Sequence, residues 1–295
     1  MGNLVNMLYR RSNGSICKEF SYFPMSVLAF FIFLAPVSVK VIKADPEELT
    51  SPPPISGGHE VLKEPPNSDL KGIKPQIAIV IDDLGSNLEL SERAIRLDPS
   101  ITLAFLPYPK IVPLLAQHAV STGHEVLIHM PMEPLDSSID PGPGALLLNM
   151  TFRELLKQLR WSFKQIPGAV GLNNHMGSKF TQDENALSTL MGELKARDML
   201  FLDSRTTPDT KAFRMARKRN VRSTSRDVFL DNNRSKKAIK SQLALVEAIS
   251  LKNGRSVAIG HPYPETLSVL EEWLTTLETR GYSSVPISQL VSPKN

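Results

Sequence analysis

The sequence predicts an α/β protein whose main domain is a parallel β/α barrel of seven strands, and three observations lead there. From Gln76 onward, short apolar runs alternate with longer amphipathic stretches. Glycines at 85, 123, 168, 254 and 281 mark most of the junctions between them. The first run, Ile77 to Ile81, is apolar at every position, which suits a strand buried on both faces of a parallel sheet. A βαβα series gives a parallel sheet with helices on its faces, and seven such strands close most easily into a barrel.

The elements follow in order. Strands are expected at Ile77–Ile81, Ile101–Leu106, Val126–Met130, Ala169–Leu172, Met199–Leu202 and Val257–Ile259, with a seventh around Val285. Helices are expected at Leu88–Leu97, Val112–Val120, Phe152–Phe163, Asn185–Ala196, Lys236–Leu251 and Leu267–Leu277. Trp161 and Trp273 fall at helical spacing among apolar residues and read as core. Glu133 to Gly144, rich in proline and short polar residues, reads as a long loop over the rim, able to shape a substrate groove. The charge run Arg214 to Arg226 reads as a solvated helix face and its exit, or as a site for an anionic glycan or lipid head group.

Before the domain come two segments of different character. Residues 1–44 read as a targeting segment: Arg10, Arg11 and Lys18 precede an apolar stretch from Tyr22 to Val39. Ile42 and Lys43 make a poor cleavage site, and the stretch approaches the roughly 20 residues that span a bilayer, so a retained anchor competes with a cleaved signal peptide. Either outcome places the domain outside the cytoplasm, in the periplasm or secreted, with a possible tether to the inner membrane through residues 22–39. Residues 45–75 hold seven of the 23 prolines and few large apolar groups, too few to bury, so they read as a disordered linker. Residues 76–295 form the barrel domain.

Composition narrows the chemistry. A net charge of +4, without basic runs interleaved with aromatics, argues against nucleic acid as a partner. Cys17 is the single cysteine, so any metal must be held by histidines and carboxylates.

The candidate residues lie where strands end. Asp82 and Asp83 close the first run, His129 follows EVLI, His175 follows AVGL in NNHMGS, Asp203 ends MLFL and His261 ends SVAIG. In a parallel barrel these ends share one rim, where barrel enzymes keep their chemistry. Taken alone, Asp82 and Asp83 could merely turn the chain at Gly85 and cap the next helix. An aspartate with two histidines suits zinc or a similar divalent ion, leaving coordination positions open for water and substrate. A second carboxylate beside such a site could take a proton from water, and a histidine opposite could protonate the leaving group. His124 beside Glu125 reads as a solvated turn or as a pair supporting the site. Asn173 and Asn174 read equally as sugar-binding or chain-turning.

IDDLG (81–85), GHEVLIHMPME (123–133), NNHMGS (173–178), FLDSRT (201–206) and IGHP (259–262), in this order, resemble the polysaccharide deacetylase (NodB-homology, carbohydrate esterase) superfamily, and specifically its divergent branch. The resemblance implies a distorted seven-stranded β/α barrel that uses a divalent metal, zinc first among candidates, to remove N-acetyl or related acyl groups from a cell-envelope glycan. It implies Asp82 as general base, Asp83 and His129 as metal ligands, and His261 as general acid, with Ile259 where the family has leucine. The family's second metal histidine falls on Glu133, so His175 is taken as the replacement ligand and Glu133 as a supporting group or oxygen ligand. The family's base-orienting arginine is missing, and Arg205, paired with Asp203, is taken to serve instead. The alternative is a non-catalytic envelope protein that keeps the barrel and binds glycan or a partner.

Overall fold

The computed structural model describes residues 74–291. The targeting segment and all but the last two residues of the linker lie outside the described residues. Among the described residues no helix is long and apolar enough to cross a membrane.

The sheet is parallel throughout. Its first five strands are β1 (Gln76–Leu84), β2 (Thr102–Phe105), β3 (Val126–Met132), β4 (Gly171–Met176) and β5 (Leu200–Asp203). Three short strands and one longer one follow: β6 (Ser223–Ser225), β7 (Val228–Phe229), β8 (Arg255–Gly260) and β9 (Ser283–Ser284). The order is β6-β5-β4-β3-β2-β1-β8-β7, and β9 pairs only with Gln76 and Ile77 at the start of β1. Eight strands laid flat span about 34 Å at a spacing near 4.8 Å. Yet Ser225, paired to β5, and Val228, paired to β8, are three residues apart, at most about 11 Å of chain. The sheet therefore curls until its two edges meet, and the Arg226–Asp227 link, rather than β6–β7 pairing, joins them. This is the distorted barrel expected from the sequence.

Side-chain alternation divides the apolar residues into two bodies. Ile77, Ile79 and Ile81 face outward and pack with Leu103, Phe105 and Ile128 against the helices. Ala78 and Val80 face inward with Ala104, Leu127, Leu200, Leu202, Val257 and Ile259, and the carboxyl-terminal Val285, Ile287 and Leu290 join this inner cluster. Gly171 on β4 keeps the interior tight, since a Cβ there would stand 2.5 Å from the Leu200 carbonyl oxygen.

Helices α1 (Leu88–Ile95), α2 (Val112–Ser121), α3 (Phe152–Gln165), α4 (Glu184–Ala196), α6 (Lys236–Asn253) and α7 (Pro264–Leu277) match the expected six within a few residues at each end. A seventh, α5 (Ala212–Lys218), occupies the first part of the charge run, so that run is only partly a solvated helix face. Thr151 caps α3 with a complete capping box to Glu154, and Asn87, Asp183 and Ser235 cap α1, α4 and α6 through their side chains. The sequence reading counted seven strands; the sheet has nine, because β6 and β7 are too short to show periodicity. The strand placed around Val285 shrinks to Ser283–Ser284. Trp273 is buried as expected, but Trp161 lies on the exposed face of α3, a correction to its reading as core.

Candidate metal centre and active site

At the end of β1 the chain does something that strict alternation forbids. Asp82 belongs to the inward set with Ala78 and Val80, so Asp83 would point outward on a regular strand. The pairing of β1 with β2 slips between Ile81 and Leu84, a bulge, and Asp83 takes a left-handed conformation with φ 57°. Aspartate tolerates that region better than most residues. Both carboxylates thereby reach the rim of the barrel.

Three side chains converge there. Asp83 Oδ1 lies 2.9 Å from His175 Nδ1 and 3.2 Å from His129 Nε2, and the two imidazole nitrogens are 3.1 Å apart. His129 comes from β3 and His175 from β4, adjacent strands in which His129 stands opposite Asn173 and Pro131 opposite His175. Asp83 Oδ1 is buried without an aligned hydrogen-bond donor, although both nitrogens are near. The three atoms form the only group of at least three such ligand atoms found among the described residues. Separations near 3 Å are what neighbouring ligands show around a cation with bonds of about 2.1 Å. A carboxylate oxygen and two ring nitrogens at this spacing, converging on one point, are a donor set that fits a divalent metal.

Asn173 fixes the geometry around this centre. Its Oδ1 lies 3.0 Å from His129 Nδ1, and its Nδ2 donates to Asp82 Oδ1 at 2.8 Å and to Ser204 Oγ at 3.2 Å. An N–H on His129 Nδ1 leaves the Nε2 lone pair free toward Asp83 and His175, the tautomer a metal requires. Asn173 thus holds a candidate ligand with its oxygen and the candidate base with its nitrogen. It was read as sugar-binding or chain-turning and does neither, being fully buried.

His261, at the end of β8, faces the centre from the other side, with Nε2 3.8 Å from Asp83 Oδ2. Its Nδ1 lies 2.9 Å from Asp231 Oδ1. Asp231 also accepts the His261 backbone N–H at 2.6 Å and the Thr266 hydroxyl at 2.8 Å through Oδ2. Asp231 escaped the sequence reading. It follows the two-residue strand β7 with Leu230 between, and the signal that could have found it, three apolar residues running into an aspartate, is too short to stand out.

The charges shape each other. Burial pushes the Asp82 carboxyl above the usual range, outweighing His129, His261 and the Asn173 hydrogen bond. Asp83 is held far below that range because the His129 and His175 imidazoles outweigh its burial. Burial by itself would lower His129, yet the Asp82 and Asp83 carboxylates raise it to about 9. His261 is likewise raised: burial opposes this, and Asp231, Asp82 and Asp83 prevail.

These directions set a pH dependence. A histidine whose folded pKa exceeds its unfolded 6.5 stabilises fully below 6.5 and loses that contribution as pH rises through the folded value. The metal-free protein is therefore expected to melt at progressively lower temperature between pH 6.5 and 9. A cation competes with the His129 proton, so at fixed free zinc the gain in melting temperature over the metal-free protein should grow across the same window. Thermal melts in chelator and in buffered zinc check both signs; parallel pH profiles would contradict the assignment.

The remaining candidates do not gather here. Asp203 has the outward parity of β5, and its oxygens accept the Arg205 N–H at 2.9 Å, the Thr210 hydroxyl at 3.0 Å and the Phe213 N–H at 3.2 Å, tying the following loop to α5. Arg205 meets Asp203 through its backbone, not its guanidinium, and its side chain is exposed. The partner found on Asp82 is Asn173. Glu133 accepts from Leu148 N–H and Lys179 Nζ, each at 2.6 Å, and so pins the loop that follows β3. Asn174 joins β4 to the β5 loop through Ser204 N–H, Met176 O and Thr206 Oγ1, with no atom left for sugar. His124 is no solvated turn residue: it is buried, with its ring nitrogens against the Ile101 and Ile95 carbonyl oxygens at the start of β3, away from the rim.

Comparison with known proteins bears on the family and the fold. Residues 79–291 match the model of the family described as divergent polysaccharide deacetylase. An uncharacterized protein of Haemophilus influenzae is 34% identical over 202 residues, 68% of this chain and 72% of its own length. The uncharacterized protein YibQ of Escherichia coli K12 is 36% identical over 202 residues, and the match spans 68% of this chain and 63% of YibQ. The crystal structure of an uncharacterized protein from Agrobacterium tumefaciens C58 superposes with a TM-score of 0.72 at 28% identity, covering 74% of this chain and 90% of that one. With its barrel, its rim of carboxylates and histidines, and a family match across nearly all the described residues, the chain belongs to the divergent polysaccharide deacetylases.

Proposed function

We propose that the domain is a metal-dependent hydrolase that removes an N-acetyl or related acyl group from a cell-envelope carbohydrate. The observation that supports this best is the meeting of Asp83 Oδ1, His129 Nε2 and His175 Nδ1 within 3.2 Å, with Asp82 and His261 beside them. A divalent cation held by those three atoms, zinc given two nitrogen donors, supplies Lewis acidity that polarises an acyl carbonyl and lowers the pKa of a water.

The chain's own groups handle the protons. Asp82 is anchored at Oδ1 by Asn173, and its raised pKa makes it a better proton acceptor than an ordinary carboxylate, suited to drawing a proton from the attacking water. Although burial opposes it, contact with Asp231 raises the His261 pKa and so favours its imidazolium form, and Nε2 faces the centre, placed to give a proton to the departing nitrogen. The amino-terminal apolar stretch supports action outside the cytoplasm, with residues 22–39 as exporter or tether.

The zinc-loaded protein offered N-acetylated oligosaccharides is expected to release acetate and free amines, to stop in chelator and to recover with zinc. Absence of release from folded, metal-loaded protein would leave the glycan-binding module as the reading.

A further inference from the structure

An unbroken row of rings and guanidinium groups runs past His261. The Phe229 ring lies 5.2 Å from the His261 ring and the Tyr263 ring 5.5 Å from it on tilted planes. Arg226 Cζ stands 5.1 Å from the Phe229 centroid, and Arg234 Cζ stands 3.8 Å from the Tyr263 centroid with Nη2 donating to the Tyr263 hydroxyl at 2.9 Å. The row therefore carries a cation at each end.

These arginines differ from several others on the surface in having no carboxylate partner. Arg93, Arg160, Arg197, Arg214 and Arg280 each face a glutamate. Among the described residues Arg205, Arg226 and Arg234 form no ion pair, and Arg226 spends Nε and Nη2 on the Ser204 and Arg205 carbonyl oxygens. The acids on that side are engaged: Asp231 by His261 and Thr266, Asp227 by the Val257 N–H, Glu271 by Arg93 and Glu272 by Lys240. Arg234 is thus left without a carboxylate partner beside the group that faces the leaving nitrogen, whereas Arg226 feels Asp203, Asp82 and Asp227 without a salt bridge to any of them.

We propose that the substrate is an anionic glycan, in which a carboxylate or phosphate on the sugar bearing the acylated nitrogen is bound by Arg234 against Tyr263, with Arg226 adding charge from the other end of the row. This rests on the hydrolase reading, because it is the departing amine that puts that sugar next to His261. Charge supports the same conclusion. Deacylation leaves an ammonium group, which unpaired arginines repel unless the sugar brings its own anion. Aromatic faces offer apolar surface to a sugar ring, and a guanidinium grips carboxylate or phosphate with two parallel N–H donors.

The test uses full-length Asp82→Asn protein loaded with zinc, in which binding is measured without turnover. Three probes are titrated by calorimetry: N-acetylglucosamine, N-acetylmuramic acid with its carboxylate, and N-acetylglucosamine 6-phosphate. At least one anionic sugar is expected to bind about ten- to hundredfold tighter than the neutral one, the size of a charge-assisted hydrogen bond. Which anionic sugar is preferred tells carboxylate from phosphate. The advantage should shrink with added salt and fall to within about twofold in Arg234→Gln, with zinc content unchanged. Equal binding of all three sugars, an advantage that survives Arg234→Gln, or no binding at all would overturn the proposal. An anionic preference in a protein whose parent turns over no acylated substrate would instead sink the hydrolase reading alone.

Discussion

Asp82→Asn is expected to lower turnover of an acylated glycan by about 10²- to 10⁴-fold, the range a positioned general base contributes, while zinc content stays at the parent's level. The substitution is nearly isosteric. Its carbonyl oxygen can still accept the Asn173 Nδ2 hydrogen bond that Asp82 Oδ1 accepts at 2.8 Å, so the buried network keeps its shape. What disappears is a carboxylate able to take a proton. Asp82 is not among the three converging ligand atoms, so the centre should load as before. Turnover and elemental content measured on the same preparation decide it: activity within about threefold of the parent would remove Asp82 from the chemistry.

His175→Ala is expected to weaken zinc binding by more than about 100-fold, beyond the 10- to 100-fold typical of losing a group that merely supports a ligand. Three donor atoms meet within 3.2 Å, and removing His175 leaves Asp83 Oδ1 and His129 Nε2 with no other protein donor among the described residues completing the set. Glu133→Gln is the informative companion. Glu133 falls where the sequence resemblance implies a second metal histidine, yet its carboxylate is held by Lys179 and the Leu148 N–H, so this substitution should leave zinc content unchanged. Full occupancy in His175→Ala, or loss in Glu133→Gln, would reverse the two assignments.

Much of this centre can be read in the chain, and the parts that cannot share a cause. Apolar runs ending in Asp82, His129, His175 and His261 are visible because a strand buried on both faces leaves little room for polar residues except where it emerges. Asp203 ends an equally convincing run and points the wrong way. In LFLD, Leu200 and Leu202 face inward, so Asp203 falls on the helix side, a consequence of period-two alternation once the direction of the strand is known. Asp83 breaks the same rule in the opposite sense, through a bulge that no local pattern announces. Asp231 and Arg226 sit beside strands of two and three residues, below the length at which alternation can be recognised.

The sequence alone determined the alternating order of strands and helices and supplied side chains of the types that bind a cation, because hydrophobic periodicity and residue chemistry are local properties. Only the tertiary structure decided which of those side chains meet. Pairing β8 directly with β1 sets its histidine beside the end of β1, and the bulge at Asp83 turns a second carboxylate toward the same point. Asn173 became a brace between Asp82 and His129 for the same reason: strand register, a relation between segments far apart in the chain, sets what each side chain touches.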